Sequence, residues 1–152
     1  MKLKIVKSGT FWLSDTPEKP SKGWDAALNR ICTYAIFKDL KSKKEFLAMN
    51  IHFDHVGKTA RVKSSELILK KAQELNPKNL PIVLTGDFNL TEDTEPIKIL
   101  SQNLKDTFYH SEKKHYGPIA TFTGFNINEL PKDRIDYIFV KGFKIKSHRH
   151  IN

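Results

Sequence analysis

The sequence contains a single cysteine, Cys32, among its 152 residues. One cysteine cannot form a disulfide bond within the chain, and it excludes a zinc site built from several cysteine ligands. Cys32 lies between Ile31 and Thr33, and we interpret it as a small apolar residue of a strand. Any fold of this chain must therefore be stable without a disulfide cross-link.

Long hydrophobic runs are also missing, although a hydrophobic content of 39% is sufficient for the core of one domain. No apolar stretch approaches the roughly 20 residues that a membrane-spanning helix needs. Residues 1–10 alternate lysine with apolar residues, unlike the apolar core of a signal peptide. These patterns predict a soluble, cytoplasmic protein without a membrane span, although a leader preceding residue 1 would permit secretion.

Acidic residues are too few to balance the basic ones. The chain has 26 Lys and Arg against 17 Asp and Glu, which gives a formal net charge of +9 and a pI near 9.6. The lysines are spread along the chain and form no dense block. Two interpretations remain open: a surface that binds a polyanion such as nucleic acid, and a solvated lysine-rich surface.

The hydrophobic pattern changes its period along the chain and predicts both strands and helices. Residues 2–8 alternate as in a half-buried strand, which Gly9 is predicted to end. Residues 30–40 and 45–51 predict an antiparallel hairpin, and residues 59–75 predict a helix that ends before Pro77. Further predicted elements are a strand buried on both faces (80–85), a short helix (96–100), a strand (120–125) and a hairpin (134–140 and 143–148).

Polar residues follow the end of the strand that contains residues 45–51. Strand alternation predicts that Asn50, His52 and Asp54 share one side. A histidine at a strand end is more often a hydrogen-bonded structural residue than a functional one. His52 is therefore a candidate for chemistry only in combination with other motifs.

The strand at residues 80–85 leads directly into Gly86-Asp87-Phe88-Asn89. Phosphoryl chemistry needs a carboxylate that holds a metal or positions a water molecule, and an amide that donates to a phosphate oxygen without adding negative charge. Asp87 and Asn89 supply this pair. A structural Asx turn is the competing interpretation, since glycine, aspartate and asparagine all favour turns.

Asp136 stands at the start of the apolar segment 134–140, where a carboxylate needs a partner. If this strand runs antiparallel to its neighbours, Asp136 reaches the edge where the other strands end. Its partner would be Arg134, on the same face by alternation, or an imidazole that it orients.

The three motifs, in this order and with a helix between the first two, resemble the endonuclease/exonuclease/phosphatase family. Residues 9–17, 22–27 and 120–125 resemble a bacterial branch of unassigned substrate, so the resemblance covers nearly the whole chain. It implies an α/β fold in which two mixed or antiparallel sheets pack face to face between outer helices, as a four-layer sandwich.

The resemblance also implies roles for four residues in phosphoester hydrolysis that depends on Mg²⁺ or Mn²⁺. His52 would hydrogen-bond a phosphate oxygen, and Asp87 would position or deprotonate the attacking water. Asn89 would orient the phosphate and, with Asp87, contribute to a second cation site. Asp136 would orient a further catalytic histidine.

Two family motifs are not found in residues 1–152, which the resemblance identifies as one incomplete domain. The N-terminal part carries the principal cation ligands, and a Ser-Asp-His motif carries the final histidine. We therefore expect little activity from this chain alone and association through an exposed sheet face or edge. His148 and His150 do not match the motif, and we expect them in a solvated tail.

The substrate remains open among DNA, RNA, nucleotides and phosphorylated small molecules or lipids. Asn50 and Arg134 are candidate substrate contacts beside the catalytic positions, and Trp24, His115 and Phe122 could form a substrate wall. Aromatic residues in such a fold are more often part of the core. The alternative to an enzyme is a basic, non-catalytic module that binds nucleic acid or a complementary half.

Overall fold

The computed structural model describes residues 2–126 and 128–151 as a mixed α/β structure. Its strands are β1 (Leu3–Trp12), β2 (Ile31–Asp39), β3 (Glu45–His52), β4 (Ile82–Asp87), β5 (Lys105–Asp106) and β6 (Asp136–Lys141). Its helices are α1 (Lys58–Leu75), α2 (Glu95–Ser101) and α3 (Thr107–His110). None of the described helices combines the length and apolar character needed to cross a bilayer.

The strands form one sheet in the order β1-β2-β3-β4-β6-β5. The β3–β4 pair is parallel, whereas the other four pairs are antiparallel. A parallel pair needs a long crossover connection, and α1 lies within the connection between β3 and β4. The carboxyl ends of β3 and β4 therefore meet at one end of the sheet.

The hydrophobic core lies between one face of this sheet and helices α1 and α2. Leu47 and Leu84 contribute from the strands, and Ile68 and Leu100 contribute from the helices. On the opposite face, residues such as Phe46 and Val83 are only half-buried. The sheet thus has one well-packed face and one partly exposed face.

Several predicted elements are confirmed: the hairpin formed by β2 and β3, the helices α1 and α2, and the strand β4. Two expectations about strand shape are wrong. The first strand continues through Gly9, which pairs with Tyr34 of β2. The Tyr34 ring occupies the space that a Cβ at position 9 would need, so glycine allows the strand to pack there. Only one face of β4 is fully buried, since Val83 and Thr85 are half-buried.

The two strands predicted at residues 120–125 and 143–148 do not form. Gly124 and Phe125 have φ angles of 67° and 65°, which turn the chain out of the extended conformation. Residues 143–148 form no hairpin with β6, which pairs with β4 and β5. Instead, the carbonyls of Ile145 and Lys146 accept hydrogen bonds from the segment at residues 112–113.

Candidate active site

His52, Asp87 and Asp136 occupy one rung of the sheet. His52 pairs with Asp87 in the parallel register, and Asp87 pairs with Asp136 in the antiparallel register. Directly paired residues project to the same face of a sheet. The structure therefore brings together three of the four predicted catalytic residues, as the antiparallel arrangement of β6 was expected to do.

These three residues line a cavity of about 490 Å³ at the exposed face of the sheet. The His52 Nε2 atom lies 3.5 Å from Asp87 Oδ2, and the two side chains are 55% and 31% exposed. An imidazole and a carboxylate at this separation can both hydrogen-bond one water molecule. Both groups are accessible to a solute from the cavity.

Gly86 and Phe88 hold Asp87 in place from either side. Gly86 has a φ of 151°, and a Cβ there would lie 2.1 Å from the Ile51 carbonyl oxygen. Only glycine permits this approach of β4 to β3. Phe88 is fully buried and packs edge-on against the rings of Phe53 and Phe139. The backbone at Asp87 is therefore fixed by packing on its core side.

Asn89 completes an Asx turn with Asp87. The turn expected from the structural interpretation of the Gly-Asp-Phe-Asn motif therefore forms, and it does not exclude the functional interpretation. Its backbone N–H donates to Asp87 Oδ1 at 2.8 Å, and its φ is 52°. Its side-chain Nδ2 donates to the Phe53 carbonyl at 3.0 Å. Asn89 is not among the residues that line the cavity, and its role toward phosphate stays a prediction.

Asn50 lines the cavity on the same side of β3 as His52. Its Nδ2 atom donates to Thr85 Oγ1 at 2.8 Å, which fixes the orientation of the amide. Thr85 also lines the cavity. Asn50 therefore lies at the candidate cavity, and its contact with substrate stays a prediction.

Asp54 does not share the side of Asn50 and His52, because β3 ends at His52. Its side chain is buried and accepts hydrogen bonds from four backbone N–H groups, which belong to Ala27, Leu28, Val56 and Gly57. Burial alone would raise the pKa of Asp54, but the four backbone donors outweigh it and hold the pKa well below its ordinary value. Asp54 therefore fixes the loop after β3.

Arg134 does not face Asp136. Its guanidinium is buried and donates at 2.8 Å to both Asp106 and Glu92. Burial opposes its charge, but these two carboxylates raise the pKa of Arg134 above its ordinary value. The ion pair with Asp136, one of the two alternatives considered for that carboxylate, does not form, because Arg134 is paired with Asp106 and Glu92 instead. With its donors engaged in this way, Arg134 lies outside the cavity.

The C-terminal segment is not the solvated tail that we expected. His148 is 7% exposed, and His148, Arg149 and His150 all line the candidate cavity. His148 Nδ1 lies 3.0 Å from His115 Nδ1, and His150 Nδ1 lies 2.7 Å from the Pro118 carbonyl. These contacts hold the segment at residues 147–150 against the loop at residues 112–118.

The three candidate aromatic residues of the substrate wall do not line the cavity. His115 is half-buried and packs against Phe108, with its ring nitrogens next to His148 and the Pro118 carbonyl. Phe122 packs against Phe125, and Trp24 is half-buried in a turn with a φ of 47°. Their predicted contact with substrate gains no support from this geometry.

The cavity residues that sequence reasoning did not single out include Thr85, Thr121, His148, Arg149 and His150. Strand alternation could have identified Thr85, which lies two residues before Asp87 on the same face. Thr121 carries no comparable signal, since it reaches the site from an irregular loop. Its Oγ1 atom accepts the backbone N–H groups of Ile135 and Asp136 at 3.1 and 3.2 Å, which fixes the start of β6.

The side chains around the cavity offer oxygen ligands of the kind that a hard divalent cation prefers, but fewer of them than such a cation needs. Asp87 and Asp136 offer carboxylate oxygens, which Mg²⁺ and Mn²⁺ prefer. Within residues 2–126 and 128–151, no three His, Cys, Asp or Glu side chains converge on a point that could hold a metal ion. The described part of the chain therefore does not form a complete cation site.

Comparison with known proteins identifies relatives along almost the whole chain. The family model described as "Endonuclease/Exonuclease/phosphatase family" matches residues 10–150. A structure of a family member from Bacteroides thetaiotaomicron is 42% identical, with a TM-score of 0.90, and the match covers 96% of this chain and 54% of that one. A mannosyl-6-phosphatase from the same species is 43% identical, with a TM-score of 0.89 and coverage of 96% and 56%.

A protein of Acanthamoeba polyphaga mimivirus is 31% identical over 146 residues, which are 90% of this chain and 54% of the viral protein. The chain thus spans about half the length of these relatives. The family includes phosphatases and nucleases, and its enzymes generally use divalent metals. On the family match and on identities above 30%, this chain belongs to the endonuclease/exonuclease/phosphatase family.

Proposed function

We propose that this chain contributes His52, Asp87, Asn89 and Asp136 to the active site of a phosphoester hydrolase that depends on Mg²⁺ or Mn²⁺. The alignment of His52, Asp87 and Asp136 on one rung, facing one cavity, is the observation that carries the proposal. The phosphatase activity of the mannosyl-6-phosphatase that is 43% identical supports the same reaction type. We further propose a cytoplasmic location.

The reaction is attack by water on phosphorus. Asp87 positions the water and accepts its proton through the carboxylate that also faces His52, while a new phosphorus–oxygen bond forms. His52 donates a hydrogen bond to a non-bridging phosphate oxygen as negative charge accumulates there. The bond from phosphorus to the leaving oxygen breaks, that oxygen takes up a proton from solvent, and Asp87 releases its proton to solvent. A bound cation would neutralise phosphate charge, with Asp87 and Asn89 among its ligands.

The 152-residue chain should bind phosphate at this site but hydrolyse esters slowly, because its described residues supply too few cation ligands. Titration with inorganic phosphate in Mg²⁺ should shift the backbone NMR signals of His52 and Asp87. Slow release of p-nitrophenol from p-nitrophenyl phosphate should depend on Mg²⁺ or Mn²⁺. Asp87→Ala should lower that rate by at least about 100-fold.

Asp15→Ala is the matched control, since Asp15 is exposed and outside the cavity. It should leave both phosphate binding and the rate unchanged. Hydrolysis that survives Asp87→Ala would contradict the assignment, as would phosphate titration without a response at His52 and Asp87.

A further inference from the structure

A second cavity, of about 570 Å³, adjoins the candidate catalytic cavity. The two cavities share three lining residues, Thr121, Arg149 and His150. Each volume lies within the roughly 300–1,000 Å³ that small-molecule sites occupy. A ligand with its phosphoryl group beside Asp87 could therefore extend past Thr121 into the second cavity.

The lining of the second cavity combines hydrogen-bonding side chains with apolar walls. Thr121, Thr123 and Glu129 offer hydroxyl and carboxylate groups, whereas Leu130, Pro131 and Ile151 offer apolar surface. Carbohydrates and other polyols present hydroxyl groups on some faces and C–H groups on others. Asn126 Nδ2 donates to one oxygen of the Glu129 carboxylate and Lys132 pairs with the other, which holds the group in place. The remaining lone pairs of the two oxygens can accept hydrogen bonds from hydroxyl groups.

A nucleobase or a polynucleotide fits this lining less well. Bases bind to proteins by stacking on aromatic rings. The described lining contains no phenyl, phenol or indole ring, and its imidazole, that of His150, is bonded to the Pro118 carbonyl. A nucleic-acid strand needs several cations along its phosphates. Among the described residues that line either cavity, Arg149 is the one Lys or Arg, and the neighbouring Lys132 is paired with Glu129.

Arg149 lies where the two cavities meet. Its side chain is exposed, and its guanidinium carbon lies 6.0 Å from the centre of the Tyr116 ring. A guanidinium binds phosphate oxygens with paired N–H donors. One such group suits one phosphoryl group held at the junction of the two cavities.

We propose that the second cavity binds the uncharged, polyhydroxylated alcohol of a phosphomonoester, with Arg149 contacting the phosphoryl group at the shared wall. The substrate class is then a phosphorylated sugar or polyol. This inference rests on the proposed phosphoester hydrolase function, which it narrows from the wider set of phosphoesters. Thr123 and Glu129 set the preference for the alcohol, and Arg149 contributes affinity for the phosphate.

The test is an NMR titration of the ¹⁵N-labelled 152-residue protein in Mg²⁺ with three probes: inorganic phosphate, mannose 6-phosphate and thymidine 5′-monophosphate. Phosphate should shift the signals of His52, Asp87 and Arg149. Mannose 6-phosphate should shift these signals and also those of Thr121 and Thr123. Its affinity should exceed that of phosphate by about tenfold, the effect of one or two additional hydrogen bonds.

Two variants separate the contributions of the cavities. Thr123→Val with Glu129→Gln should weaken mannose 6-phosphate binding by about tenfold and leave phosphate binding unchanged. Arg149→Gln should weaken both ligands by at least about tenfold. The matched controls are Thr59→Val and Lys98→Gln, at exposed positions of α1 and α2, and neither should alter binding.

The possible results distinguish the two proposals. If phosphate does not shift His52 and Asp87, the hydrolase assignment fails, and this inference fails with it. If phosphate binds there but mannose 6-phosphate binds no more tightly or leaves Thr121 and Thr123 unchanged, only the inference fails. Tighter binding of thymidine 5′-monophosphate through the second cavity would also overturn the inference while leaving the hydrolase assignment intact.

Discussion

The side chains of His148, His115 and His150 lie together next to the candidate site, with ring centres 4.7 to 5.1 Å apart. His148 is buried among them, and Phe108 packs on the group. Asp106 and Arg134 are further charged residues that affect the pKa of His148. Burial, and to a smaller extent electrostatic repulsion from His150, His115 and Arg134, lower the pKa of His148 to about 4, whereas Asp106 acts in the opposite direction.

This depressed pKa predicts that acid destabilises the fold through His148. Above pH 6.5 the residue is neutral in both the folded and unfolded states and contributes nothing to pH dependence. As the pH falls from 6.5 to about 4, His148 binds a proton in the unfolded state but not in the folded state, so the free energy of unfolding decreases. At pH 5 the loss should be about 1–2 kcal/mol, measured by urea denaturation.

His148→Leu should remove this part of the pH dependence, whatever its effect on stability at pH 7.5. His110→Gln, at an exposed position, should retain it. An equal change in the free energy of unfolding between pH 7.5 and pH 5 in wild type and His148→Leu would contradict the prediction.

At the scale of elements, Arg134 joins three parts of the chain. It precedes β6, bonds to Asp106 at the end of β5 and to Glu92 before α2, and packs over the rings of Phe108 and Tyr137. The centre of its guanidinium lies 4.7 Å from the Phe108 ring and 4.3 Å from the Tyr137 ring. The short strand β5 and helix α3 depend on these contacts for their position.

Arg134→Met should lower the free energy of unfolding by about 3–5 kcal/mol, because it leaves the buried carboxylate of Asp106 without its cation. Adding Asp106→Asn to this variant should recover part of the loss. Lys144→Met is the control: its pair with Glu112 is 77% and 51% exposed, so it should cost less than about 1 kcal/mol. Urea denaturation measures all three, and equal losses for Arg134→Met and Lys144→Met would contradict the prediction.

The elements that could be predicted from the sequence are those with a local signal. The period of residues 59–75 and the charged turn between β2 and β3 identified α1 and the hairpin. The positions of His52, Asp87 and Asp136 followed from polar residues at the ends of apolar strands. Arg134 was misplaced because its partners lie 28 and 42 residues away in the sequence, and no local pattern encodes that distance.

The C-terminal histidines were misplaced for a similar reason. Residues 147–150 have neither apolar periodicity nor a helix, and a short polar segment of that kind normally remains in solvent. Here, hydrogen bonds between Tyr116 and both His148 and His150 hold the segment in the structure. The cavity residues that sequence reasoning missed are mostly those on irregular backbone.

At the scale of the whole molecule, the two faces of the sheet differ in how well they are covered. Phe46 lies on the partly exposed face, with its ring centre 5.5 Å from Phe37 and 5.9 Å from Phe143. These three rings and Val83 form an apolar area beside the cavity residues. Family resemblance led us to expect such a face to pack on a second sheet, and the four-layer arrangement stays a prediction.

We expect copies of the 152-residue chain to associate weakly through this apolar area. Sedimentation velocity should show a weight-average mass that rises with protein concentration. Phe46→Lys should suppress the increase, whereas Leu28→Lys, at a 53% exposed position elsewhere, should not. A mass that is independent of concentration in the wild type, or unchanged association in Phe46→Lys, would contradict this expectation.

The single rung that carries His52, Asp87 and Asp136 also has a consequence for how this site can change during evolution. The spacing of the three side chains is set by the main chain, so exchanging one side chain leaves the positions of the others unchanged. Inserting or deleting one residue within β4 would instead turn position 87 to the core side. The site should therefore tolerate changes of residue type far more readily than changes in the length of its strands.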